Sequence, residues 1–214
     1  MDIEAMKESE LIGFREISHE LDVVFDVGAR GNLEFLTIRP EAEYHLFEPI
    51  VGFADHLKER TNGMHNVTVN QIGLSDSVQT GAVFYSNVQS FEPHPFLSSE
   101  DQGHRFDLNT VDEYCREKGI SKIDFLKIDA EGFDYKVLVG AKQMLEQNLI
   151  KYIQFEYWAG VRKFYDLLKD RYDMQFVDPQ TNERRPLDEE CVEHIDTHRI
   201  PSRKGGDVFC KLKQ

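Results

Sequence analysis

Short apolar runs recur along this chain, and most of them stop on an acid. Leu21–Phe25 (LDVVF) runs into Asp26-Val27-Gly28, and Tyr44–Phe47 into Glu48-Pro49. Val67–Leu74 runs into Ser75-Asp76, and Ile123–Ile128 into Asp129, while Ile150–Tyr157 forms a fifth run. Between them the apolar residues change period. Phe53 and Leu57 share one helical face, and Val137, Leu138, Ala141 and Leu145 follow i, i+3/i+4 spacing. Val111, Tyr114 and Cys115 follow Asn109 or Thr110, either of which suits a helix N-cap. Strands that alternate with helices predict βαβ units and a mainly parallel sheet.

The ends read differently. Residues 1–20 carry Met6, Ile12, Phe14 and Ile17 among charges, which predicts a leading helix lying on the sheet. Met174–Val177 and Val208–Leu212 read as two closing strands. Two polar stretches, residues 86–105 and 178–206, read as long surface insertions, the class of loop that carries function. With 214 residues, the chain fits a single α/β domain spanning 1–214, since such domains reach roughly 200–250 residues.

The formal net charge of −14 argues against nucleic acid as a partner, because phosphate contacts need a basic footprint. It argues equally against an anionic membrane surface. It suits a neutral substrate, a cationic cofactor or a metal ion. The three cysteines, Cys115, Cys191 and Cys210, are widely spaced and form no CxxC, so reduced thiols are expected. The N-terminal residues lack an apolar signal region, and no apolar run reaches the ~20 residues of a membrane span. A soluble cytoplasmic protein is the expectation, with monomer and homodimer both open.

In an open parallel sheet, ligands bind beyond the carboxyl ends of the strands, at the switch point of strand order. Asp26-Val27-Gly28-Ala29-Arg30-Gly31 closes the first strand, with glycines that permit a tight turn and close approach of a ligand. Glu48 closes the second strand, about 20 residues on, where an acid binds ribose hydroxyls. Neither GxGxxG nor GxxxxGK[ST] is present, so a pyrophosphate-binding loop is disfavoured. Asp26 within the loop repels phosphate and attracts a cationic group, such as the sulfonium and amino groups of S-adenosylmethionine.

VVFDVGARG, HLFEP, GLSD, LNTVDEY and IDFLKIDAEGFDYKVLVGA, spanning roughly residues 21 to 157, resemble the FkbM family of S-adenosylmethionine-dependent O-methyltransferases. The KIDAEGFDYKVLVGA block carries the most specific part of the likeness. Arg30 stands where that family usually has asparagine, the loop is one residue shorter, Pro40 curtails the next helix, and Asp134 replaces a usual glutamate. The resemblance implies a class I methyltransferase fold: a Rossmann-like, seven-stranded sheet with its last strand antiparallel and helices on both faces. It implies transfer of a methyl group to a hydroxyl of a sugar or glycan, or of a non-sugar secondary metabolite. By the same resemblance, Asp26, Gly28, Ala29 and Arg30 line the methionine end, Glu48 holds the ribose, and Gln71 and Ile72 flank the adenine. Asp129 lies beside the transferred methyl. Related sugar methyltransferases imply a divalent ion, Mg²⁺ or Mn²⁺, held here by Asp129 and Glu156, which would lower the pKa of the acceptor hydroxyl. Glu131 is then the candidate general base.

Other readings compete at the same residues. Asp129 and Asp134 could each cap the following helix. Lys127, inside a strand, is expected to face a carboxylate or a helix dipole. Asp129-Ala130-Glu131 also resembles the acidic pair with which glycosyltransferases hold Mn²⁺ and a nucleotide sugar. A third possibility is a module that keeps the fold without turnover. His194 and His198, four apart, read as a solvated face rather than a zinc site. His94, His104, Tyr157 and Trp158 are candidates for contact with the acceptor.

Overall fold

The computed structural model describes residues 11–84, 103–157, 160–177, 183–198 and 207–214. The chain begins with α1 (helical at residues 11–17) and a 3-10 turn, Ser18–Glu20. There follow β1 (Val23–Val27), α2 (Glu34–Ile38), β2 (Glu43–Phe47), α3 (Val51–Arg60), β3 (Val67–Asn70) and β4 (Gly73–Leu74). Next come β5 (Gln79–Phe84), β6 (His104–Asn109), α4 (Val111–Lys118), β7 (Ile123–Ile128), α5 (Asp134–Val139) and α6 (Lys142–Glu146). The last elements are β8 (Ile150–Phe155), α7 (Arg162–Leu168), β9 (Tyr172–Val177), β10 (Arg184–Pro186), α8 (Glu189–His198) and β11 (Val208–Leu212).

The main sheet runs β10-β9-β11-β8-β7-β1-β2-β3. β3, β2, β1, β7 and β8 pair in parallel, and β11 enters antiparallel between β8 and β9. Strand order therefore reverses between β1 and β7, which places a crevice above their carboxyl ends. Among the described residues, the sheet has eight strands rather than the expected seven. The extra one, β10, pairs antiparallel with β9.

Side chains alternate across each strand, so the sheet buries both faces. Val24, Phe125, Tyr152 and Phe209 pack on the side of α1, α2 and α3, against Phe14, Phe35 and Leu57. Phe25, Leu126, Ile153 and Cys210 pack on the opposite side, against Tyr114, Leu138, Phe164 and Ile195. The leading helix thus covers the sheet as expected, over its described residues. All three cysteines are free thiols. Among the described residues, no helix is long and apolar enough to cross a membrane.

Local signals set several boundaries. Thr110 is the N-cap of α4, its Oγ1 accepting from the Glu113 amide at 3.0 Å. α2 ends at Ile38, since the residue before Pro40 is pushed out of helical geometry.

Two expectations need correction. The run Val67–Leu74 is not one strand: it breaks after Asn70, and β4 joins β6 and β5 in a separate three-stranded sheet. Apolar alternation signals a strand without saying which sheet it joins. The second correction concerns residues 178–206. They are not only a surface excursion, because they contain β10 and α8, whose Val192 and Ile195 are buried. That apolar stripe, three residues apart, was outweighed by the charges around it. His194 and His198 lie on the exposed side of α8 with ring centroids 4.3 Å apart.

Candidate active site

At the end of β1, Asp26 lies opposite Lys127 of β7. Both are buried, at 3% and 7% exposure, on the sheet face that carries α1–α3. The Lys127 ammonium is 3.7 Å from Asp26 Oδ1 and donates to Asp129 Oδ2 at 3.4 Å. One cation therefore sits between two strand-end acids. Burial raises the pKa of Asp26, and Lys127 opposes that rise.

The turn after β1 is shaped by its neighbours. Gly28 has φ +81°, and a Cβ there would lie 1.9 Å from the carbonyl oxygen of Asp129. The missing Cβ at Gly28 thus makes room for the β7 loop, while Gly28 also borders the cleft described below. Gly28 and Ala29 donate their amides to Phe47 O, Arg30 donates to Glu48 Oε2, and Gly31 and Asn32 donate to Ala29 O. Glu48, 4% exposed, also accepts from the Ile50 amide at 2.8 Å through Oε1. Its carboxylate ties the β1 turn to the start of α3. Burial raises its pKa, and the two amide bonds restrain that rise.

The β7 turn is held from beneath. Asp134, almost fully buried, accepts from the amides of Ala130 and Gly132, each at 3.0 Å. Glu131 adopts φ +51° and Arg30 φ +52°, both in the left-handed region that costs a side chain energy. The two meet, with Arg30 Nη1 donating to Glu131 Oε1 at 3.2 Å. Burial pushes the Asp134 carboxyl up to about 6. A raised folded-state pKa means that the folded protein takes up a proton that the unfolded chain, with a carboxyl near 3.9, does not. Stability relative to Asp134→Asn is then expected to rise as pH falls from about 6 to about 4, by up to about 3 kcal/mol. Urea midpoints of both proteins at pH 7 and pH 4.5 check this, and an equal gap at the two values would contradict it.

A cleft of about 510 Å³ opens above these turns. Gly28, Arg30, Glu48, Ile72, Asp129 and Glu131 line it. Asp26 and Ala29 lie beneath the lining, both buried. Gln71 is exposed, its Oε1 accepting from Lys58, and is not part of the cleft. Glu156 also lies outside the lining. The small sheet roofs the cleft with Phe84, His104, Phe106 and Leu108, while Phe53 of α3 and Phe133 of the β7 turn add apolar walls. Of these, only His104 was marked by the sequence. The alternation of Phe106 and Leu108 in β6 was the available signal. His94 and Trp158 lie outside the described residues. Tyr157 is fully buried and serves the core.

Among the described residues, no group of three or more His, Cys, Asp or Glu side chains could hold a metal ion. Asp129 already faces the Lys127 ammonium, and Glu156 does not share its cleft. The divalent ion expected at Asp129 and Glu156 does not fit this donor set. S-adenosylmethionine does: Glu48, Asp129 and Glu131 bring carboxylates to a cleft otherwise lined mainly by apolar and aromatic side chains. Such a site suits a cationic ligand that carries a ring.

A crevice at the switch point of a parallel sheet, an acid after its second strand and this charge pattern are what an S-adenosylmethionine-dependent methyltransferase requires. Comparison with known proteins agrees. The methyltransferase FkbM domain matches residues 26–191, and the chain belongs to that family. The 2-O-methyltransferase NoeI of Sinorhizobium fredii (strain NBRC 101917 / NGR234) is 26% identical over 173 residues, covering 68% of this chain and 70% of that protein. An rRNA methylase from Streptococcus thermophilus superposes with a TM-score of 0.47 at 10% identity, covering 97% of this chain and 95% of its own. A SAM-dependent methyltransferase from Aquifex aeolicus gives 0.45 at 11%, covering both chains fully. The family assignment rests on the domain match.

Proposed function

We propose that this methyltransferase acts on oxygen, transferring the methyl group to a hydroxyl of a sugar or glycan. The observation that carries the reading is the placement of Asp129 and Glu131 at the end of β7, where two carboxylates face the cleft. The likeness to a 2-O-methyltransferase supports oxygen as the acceptor atom.

S-adenosylmethionine supplies an electrophilic methyl on a sulfonium. Glu48 would accept from the ribose hydroxyls with the lone pairs that its two amide bonds leave unused. Ile72 and Phe53 offer apolar surface to the adenine. Asp129, held by Lys127, would set negative charge near the sulfonium of a bound cofactor. Glu131 receives the proton of the acceptor hydroxyl as that oxygen bonds the methyl carbon and the carbon–sulfur pair leaves with sulfur. The rest of the rate comes from aligning oxygen, carbon and sulfur.

The test is transfer of labelled methyl from S-adenosylmethionine to a panel of oligosaccharides. Glu131→Gln should lower kcat by about 10²–10⁴-fold while the KM for cofactor changes little. Turnover should survive exhaustive chelation, given the donor set. Transfer to no hydroxyl acceptor would end the proposal. The aromatic wall of Phe84, Phe106 and Phe133 favours a second acceptor class, non-sugar metabolites with a ring or chain, and the panel includes them. His104, from the stretch 86–105, is the described residue of that segment that lines the cleft.

A further inference from the structure

We propose that Arg30 is the residue that recognises the α-carboxylate of the cofactor's amino-acid end, exchanging Glu131 for that carboxylate when the cofactor binds. The inference rests on the reading that this cleft binds S-adenosylmethionine, whose amino-acid end carries one carboxylate. Three of the charged groups lining the cleft, Glu48, Asp129 and Glu131, are acids that repel it. The usual alternative is a set of backbone amides, as in anion-binding turns. Here those amides are already committed. Residues 28 to 32 donate to Phe47, Glu48 and Ala29, and residues 130, 132 and 133 donate to Asp134 and Ala130.

Arg30 is the permanent cation among the described residues that line the cleft. Its guanidinium sits at the mouth, 67% exposed, with its carbon 5.8 Å from the centre of the Phe53 ring and Nη1 on Glu131. A planar guanidinium offers two parallel donors to a carboxylate, so replacing one carboxylate by another needs no rearrangement of the turn. The left-handed backbone at position 30 suits glycine or asparagine better than arginine. A strained residue that persists at a cleft points to use of its side chain. The exchange also releases Glu131 towards the acceptor hydroxyl, so that the base is freed only once the cofactor is seated.

Titration calorimetry with two probes tests this. S-adenosylhomocysteine carries the amino-acid end, and 5′-methylthioadenosine lacks it. Arg30→Asn accepts the same backbone angles and keeps the fold. It should bind S-adenosylhomocysteine at least about tenfold more weakly than wild type, with affinity for methylthioadenosine unchanged. Arg30→Lys should recover part of the loss. Glu131→Gln, which removes the competing carboxylate, should bind S-adenosylhomocysteine at least as tightly as wild type. Equal weakening of both probes by Arg30→Asn, or no weakening, overturns the proposal while leaving the cofactor reading intact. Wild-type protein that binds neither probe overturns both.

Discussion

Gly28→Ala is expected to lose cofactor binding and about 2–5 kcal/mol of stability. A methyl group there would lie 1.9 Å from Asp129 O and 2.9 Å from its carbonyl carbon. Neither strand end can retreat, because the Gly28 amide donates to Phe47 O and the Asp129 amide donates to Val27 O, both at 2.9 Å. Overpacking typically costs about 1–3 kcal/mol, and φ +81° adds about 1–2 kcal/mol for any residue with a Cβ. The two terms act on the same atoms, so the turn must rearrange, and with it the floor of the cleft. Urea denaturation and calorimetry with S-adenosylhomocysteine read the two effects. An alanine variant with the wild-type midpoint would show that the β1 and β7 turns are not locked together.

Lys127→Met comes next in size. The side chain fits a partly apolar site, but it removes the cation between Asp26 and Asp129. Removing one partner of a buried ion pair costs about 3–5 kcal/mol, because the other charge stays buried and uncompensated. Asp26 carries that cost, since burial already raises its pKa and Lys127 is the main influence opposing it. With the lysine gone, folded Asp26 holds its proton to still higher pH than the unfolded chain does. The deficit of Lys127→Met should therefore be smallest below about pH 4 and grow as pH rises. Adding Asp26→Asn should recover much of the loss, as expected when both members of a buried pair are removed. Urea titrations of the three proteins at pH 4.5 and 7.5 check the order. A single variant as stable as wild type at pH 7.5 would mean that Lys127 holds no buried charge.

How far the site was legible follows from where each signal resides. Asp26, Glu48 and Asp129 could be placed at strand ends because strand period and its interruption are local features of the chain. Gly28 was read as freeing the turn for a ligand, and the further group that forbids a Cβ there lies about a hundred residues away in sequence. Gln71 and Glu156 came from the family resemblance, which carries a role to a position without saying whether this chain's side chain lines the cleft. The aromatic roof was missed because β4 leaves the main sheet, a choice that depends on β6 rather than on residues 67–74.

The acidic strand ends, the α/β alternation and the family-specific block around Asp129 were thus determined by the sequence itself, because periodicity and motif spacing act within a few residues. The tertiary structure decided three other things. It set Lys127 between Asp26 and Asp129 through the parallel register of β1 and β7. It added an eighth strand and a second sheet. It brought Arg30 to Glu131 across the cleft. Each of these joins residues far apart in the chain, and such contacts exist only once the sheet has assembled and fixed which strand ends stand side by side.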